Sequence, residues 1–185
     1  MQVAVYSGSF DPLHKGHLGI LRRLAELYDA VYMVVSPQNP LKEKGKALNA
    51  QQRLQAARAA VARYPELDGK VRLDDIEFSL PQPSYTISTL DALKAREPGN
   101  SFTLAIGADN LADIRRWKDY TRILLEYGLT VFPRRGTDLQ AAAQELLMEN
   151  PDYRIRLMKD YLADVSSTQL RDSLSRGKDV SELLM

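Results

Sequence analysis

Hydrophobic residues along this chain fall into two rhythms. Short apolar runs rich in β-formers, Val3–Tyr6, Ala30–Val35, Phe102–Ile106 and Leu129–Phe132, read as buried strands. Val71–Ile76 is a weaker strand, and Ile155–Met158 a last strand or a bridge. Between the runs the apolar positions adopt helical spacing. His17, Ile20, Leu21, Leu24, Leu27 and Tyr28 form one face, with Arg22, Arg23 and Glu26 off it. Asn49–Tyr64 is rich in Ala, Gln, Arg and Leu, with Asn49 as the expected N-cap. A helix to Arg96, with Leu90 and Leu93 inward, is closed by Pro98-Gly99. Helical stretches then run around Trp117 to Tyr127, over Asp138–Glu149, and from after Ser166-Ser167-Thr168 through Leu170 and Leu174 to Gly177.

Strand and helix alternate throughout, which predicts an α/β fold: a doubly wound, Rossmann-like parallel sheet with helices on both faces, as one domain over residues 1–185. Such sheets bind ligands beyond the carboxyl ends of their strands. The segments Gly8–His17, Pro37–Lys42, Gly107–Asp109 and Pro133–Arg135 all follow predicted strands, so they are expected to converge on one crevice.

Composition narrows the chemistry. The 185 residues are 44% hydrophobic and 26% charged, ordinary for a globular protein. A net charge of +1 supplies no basic field, so neither a nucleic-acid nor a membrane partner is expected. The absence of cysteine removes disulfides, thiolate catalysis and thiolate metal sites, and fits a cytoplasmic protein. No basic segment followed by a long apolar run opens the chain, so no export signal is expected.

The only two histidines, His14 and His17, lie three residues apart where the first turn becomes a helix. A helix start offers N–H groups and the positive end of a dipole to phosphate. Gly8 permits close backbone approach, Ser9 offers a hydroxyl, and Gly16 leaves room between the imidazoles. At this spacing both imidazoles can face an anion, whose charge favours their protonated, donor form. That suits nucleotidyl transfer, in which a phosphate oxygen attacks the α-phosphorus of a nucleoside triphosphate and pyrophosphate leaves. A tight turn with a core histidine, or a metal site built on Asp11, His14 and His17, are the other readings. The turn matches neither G-x-G-x-x-G nor G-x-x-x-x-G-K-[ST].

Gly8-Ser9-Phe10-Asp11-Pro12-Leu13-His14-Lys15-Gly16-His17 resembles the G-[ST]-F-D-P-x-H-x-G-H signature of the nucleotidyltransferase superfamily. Val165–Arg171 resembles its second motif, I-S-S-T-x-[IL]-R. Pro83–Leu90, Ile106–Leu111 with Arg116-Trp117, and Pro37–Lys42 resemble segments of the bacterial nicotinate-nucleotide adenylyltransferase family. The resemblance implies that His14 and His17 are catalytic and contact the triphosphate together with Gly8, Ser9, Phe10, Gly107, Asp109, Ser166, Ser167, Thr168 and Arg171. It places Lys42, Thr86, Trp117 and Arg134 on nicotinate mononucleotide. The implied reaction moves AMP from ATP, accompanied by Mg²⁺, to that acceptor, giving deamido-NAD and pyrophosphate. Nicotinamide mononucleotide or phosphopantetheine as acceptor, a non-catalytic nucleotide sensor and a metallohydrolase are the alternatives, and homo-oligomers are left open. Ser7 departs from the family's frequent glycine, Leu41 from its usual histidine, and the chain stops at Leu184-Met185, where members often add a helical segment.

Overall fold

The computed structural model describes residues 1–37, 49–134, 136–159, 165 and 167–185. Six strands, β1 (Gln2–Gly8), β2 (Ala30–Val35), β3 (Val71–Asp74), β4 (Ser101–Gly107), β5 (Leu129–Phe132) and β6 (Ile155–Leu157), form one sheet in the order β3-β2-β1-β4-β5-β6. Every pairing is parallel. The order reverses between β1 and β4, where Val5 lies beside Leu104. The helices are α1 (Lys15–Leu27), α2 (Ala50–Val61), α3 (Thr86–Arg96), α4 (Ala108–Ala112), α5 (Tyr120–Arg122), α6 (Leu139–Glu149) and α7 (Ser167–Ser175).

The apolar runs are continuous because both faces of the sheet are covered. Val3, Val5, Tyr32, Val34, Leu104, Ile106 and Val131 pack under α3, α4 and α6 with Leu90, Leu93, Leu111 and Leu146. Ala4, Val31, Met33, Val35, Ala105 and Phe132 point the other way, against Leu21, Leu24, Leu54 and Ala57 of α1 and α2. Alternation along each strand therefore divides the residues between two cores rather than between core and water. Thr130, fully buried, shares a hydroxyl hydrogen bond of 2.6 Å with Tyr28, which keeps the one polar strand residue of β5 satisfied.

Four sequence expectations are revised. Leu27 is 36% exposed, and Leu18 takes its place on the buried side of α1. The third strand stops at Asp74, because the Asp74 carboxylate accepts from the Ile76 N–H and turns the chain into a 3₁₀ segment, Ile76–Phe78. The segment ending at Tyr127 is not a regular helix: α5 passes into a π-helical turn, Ile123–Tyr127, closed by the Gly128 N–H donating to the Ile123 carbonyl. The last helix begins at Ser167, not beyond Thr168. Asn49 does cap α2, accepting from the Gln52 N–H at 2.9 Å. Among the described residues no helix is long and apolar enough to cross a membrane.

Candidate active site

A cavity of about 530 Å³ opens beyond the carboxyl ends of β1, β4 and β5. The first turn forms one wall. Phe10 adopts a left-handed backbone, φ 48°, which folds its ring back over Gly8. A Cβ at Gly8 would lie 3.2 Å from Phe10 Cζ, so glycine is what lets the ring settle there. The same ring meets His17 edge-on, centroids 5.3 Å apart, and Tyr6 at 5.4 Å. An apolar residue in the motif thus shapes the turn and props a histidine.

His14 is the N-cap residue of α1, and His17 lies in its first turn. Their rings stack at 3.7 Å between centroids. The His14 backbone N–H donates to His17 Nδ1 at 3.2 Å. A backbone amide can only donate, so Nδ1 carries the lone pair and the neutral His17 ring holds its proton on Nε2. Nδ1 of His14 is buried without a partner among the described residues. Burial lowers both imidazoles well below the usual histidine range; Arg134 adds to this for both, and His14 does so for His17. The turn therefore favours two neutral, stacked rings over two cations.

This makes the folded protein bind fewer protons here than the unfolded chain at mildly acidic pH. The pair's contribution to stability is fully present above about pH 6.5 and is lost as pH falls below it. Denaturant titrations are expected to show stability falling between pH 7 and 5, with less of a fall in His14→Ala; equal slopes would refute the link to this pair. An anion held by both rings raises their proton affinity, so calorimetry in buffers of different ionisation enthalpy should show proton uptake when triphosphate binds near pH 6.

Three supports hold the turn from behind. The guanidinium of Arg53 on α2, 5% exposed, donates to the carbonyls of Ser9 at 2.6 Å, Ser36 at 2.8 Å and Pro37 at 3.0 Å. Arg171 donates to the carbonyl of Asp11 and, at 3.1 Å, to Thr168 Oγ1. Ser167 Oγ donates to the Pro12 carbonyl at 3.3 Å. The start of α7 is thereby docked on the first turn.

The opposite wall comes from β4 and β5. Asp109 folds back over Gly107, where a Cβ would stand 2.7 Å from its Oδ1. Its other oxygen accepts from Arg134 Nη1 at 2.7 Å, an ion pair linking the ends of β4 and β5. Tyr6 also lines the cavity, its ring centroid 6.2 Å from that of His17, and its phenol is held protonated chiefly by burial. Thr86 opens α3 and lines the cavity together with the half-buried Trp117. Lys118 Nζ sits 4.7 Å from the centroid of the Tyr85 ring, tying the two segments together.

Of the residues singled out from sequence, Gly8, Ser9, Phe10, His14, His17, Thr86, Gly107, Asp109, Trp117, Arg134 and Ser167 line this one cavity. Thr168 and Arg171 do not; they lie behind it. Lys42 and Ser166, and with them Leu41 and Arg135, lie outside the described residues. Tyr6, Ser36 and Asn110 also line the cavity, and Arg53 braces it, without having been expected. In sequence Arg53 is one arginine of an alanine-rich helix. Only the crossing of α2 behind the turn gives it three carbonyls. Among the described residues no three His, Asp or Glu side chains gather as metal ligands.

The cytidylyltransferase-like family model matches residues 5–173. A protein of Flavobacterium johnsoniae named probable nicotinate-nucleotide adenylyltransferase is 38% identical over 100% of this chain and 92% of its own. A protein of Bacteroides fragilis with the same name is 36% identical over 99% and 87%. Among solved structures, the Plasmodium falciparum nicotinic acid mononucleotide adenylyltransferase complexed with NaAD superposes with a TM-score of 0.82 at 20% identity, covering 98% of this chain and 87% of that one. The same enzyme complexed with APC gives 0.79 over the same shares. The chain belongs to the cytidylyltransferase-like family, among the nicotinate-nucleotide adenylyltransferases.

Proposed function

We propose that this protein transfers AMP from ATP to nicotinate mononucleotide, releasing pyrophosphate and forming deamido-NAD. The observation that carries the reading is the stacked His14–His17 pair facing, across one cavity, the Thr86 and Trp117 wall. The first is suited to phosphate and the second to a flat aromatic acid.

In this reading the triphosphate lies against the start of α1, where the helix dipole and the His17 Nε2–H meet its oxygens. The acceptor's phosphate oxygen attacks the α-phosphorus, the bond to the bridging oxygen breaks, and pyrophosphate leaves in line. Both imidazoles gain protons or hydrogen bonds as negative charge grows on the leaving group, which is where stabilisation lowers the barrier. Gly107 and Asp109 hold the ATP side, and Arg134 exchanges its carboxylate partner for a phosphate. Trp117 stacks on the pyridine ring, and the N-terminus of α3 at Thr86 receives its carboxylate. Asp109, already paired with Arg134, is the only carboxylate among the described residues that line the cavity, so the donor set fits Mg²⁺ carried in on ATP rather than a dedicated cage. With ATP bound, the ion neutralises charge on the triphosphate. The single sheet supports treating residues 1–185 as one catalytic unit.

The test is incubation of purified protein with Mg·ATP and, separately, nicotinate mononucleotide, nicotinamide mononucleotide and phosphopantetheine, reading pyrophosphate and the adenylylated product. Product with the nicotinate acceptor at the highest kcat/KM is expected. No product with any acceptor would refute transfer; preference for the amide would refute the acceptor.

A further inference from the structure

Glu77 stands behind the cavity rather than in it, and it is 5% exposed. Among the described residues no cation pairs with it. Its carboxylate instead accepts from three hydroxyls: Ser7 Oγ at 3.0 Å, Thr89 Oγ1 at 3.0 Å and Ser84 Oγ at 3.4 Å. A hydrogen bond of 3.3 Å joins Ser7 to Ser36; with its own proton on Glu77, Ser7 is the acceptor there. Gln82 Nε2 closes the arrangement on the Glu77 carbonyl at 3.3 Å.

Burying a carboxylate without a cation is costly, and a packing role alone would be filled as well by an apolar side chain. The three donors come from separate parts of the site. Ser7 belongs to the end of β1, one residue before the phosphate turn. Ser84 precedes Thr86 by two residues in the loop that opens α3, and Thr89 lies in the first turn of that helix. One buried group therefore fastens the acceptor wall to the catalytic turn. Ser7 gains a purpose in this arrangement: its hydroxyl ties the end of β1 to Glu77.

We propose that Glu77 is a positioning residue for the acceptor, holding the Ser84–Thr86 loop in register with the phosphate turn through Ser7, Ser84 and Thr89. The proposal rests on the transferase reading above. A loosened loop still leaves the ATP side, Gly107, Asp109 and the histidines, supported by β4 and Arg53. The loss should therefore fall on the acceptor.

Steady-state kinetics with each substrate varied in turn, and calorimetric binding of nicotinate mononucleotide alone, test this. In Glu77→Gln the acceptor KM and dissociation constant are expected to rise about tenfold, the size of one lost net hydrogen bond to a charged group, while the ATP KM stays within about twofold. Ser7→Ala and Thr89→Val, each lacking one hydroxyl, should show a smaller rise of the same kind, and Thr89→Ser should restore wild-type values. These milder variants decide the matter if Glu77→Gln does not fold. Equal rises in both KM values, or an unchanged acceptor constant in all variants, would overturn the proposal. Wild-type protein that binds the acceptor but gives no product would instead fail the transferase reading, since the binding comparison needs no turnover.

Discussion

His17→Ala is expected to lower kcat by about 10²–10³-fold, the usual cost of removing one donor aimed at developing charge. The fold should tolerate the change. Among the described residues the ring's one hydrogen bond is that accepted from the His14 N–H, so the stability loss should be about 1–2 kcal/mol. The two effects separate in one experiment: pyrophosphate release at saturating substrate against a thermal melt of the same sample. Because Nδ1 of His17 accepts from the His14 N–H, the donor is Nε2–H of an uncharged imidazole or a proton taken up with the triphosphate. In either case the loss appears in kcat more than in KM for ATP. Turnover near the wild-type rate would remove His17 from the chemistry. His14→Ala should fall in the same range, and the double variant little further, since stacked rings serving one leaving group act as a unit.

The second large effect belongs to a residue that touches no substrate. Arg53→Met should destabilise the protein by about 2–4 kcal/mol and also lower activity. Three carbonyls, of Ser9, Ser36 and Pro37, lose their donor at once. Methionine fills the volume, so the cost is polar rather than a cavity. The Ser9 carbonyl is part of the turn proposed to receive phosphate, and its release should raise the ATP KM as well. Arg53→Lys is the diagnostic companion. A single ammonium cannot span carbonyls that the fork of a guanidinium reaches from two nitrogens, so lysine should recover only a minor part. Urea midpoints, with m unchanged, and the ATP KM measure the pair of effects. Full recovery by lysine would show that charge alone, not the fork, holds the turn.

The strands and their parallel order were legible because runs such as Ala30–Val35 are apolar on every residue, which only a sheet covered on both sides demands. The cavity was legible because its walls are loops that follow strands. What sequence could not show depends on crossing geometry. Arg53 and Glu77 look like solvated charges in Ala50–Val61 and Ile76–Phe78, and nothing local distinguishes them from Arg58 or Glu66, which belong to the surface. Leu27 misled because periodicity continues to the end of α1 while the partner surface does not. The second motif suggested a phosphate-receiving cap; its described residues brace the first turn. Arg171 and Ser167 spend their donors on Asp11 and Pro12, holding the first motif in place.

The pairing of β1 with β4 sets Gln2 beside Ser101 and Val5 beside Leu104. The two walls of the cavity are thus nearly a hundred residues apart in the chain and adjacent in space. On the ribosome, β1, α1 and β2 can pack locally as soon as they emerge, yet the Gly8–His17 turn then faces nothing. Only after β4 has been made can β1 acquire its second neighbour, and closing so long a loop is slow in the manner of all non-local sheets. Nucleotide binding therefore reports completion of the sheet's centre. In refolding, recovery of ligand affinity should trail recovery of helical signal, and a chain cut before β4 should gain helix without gaining affinity.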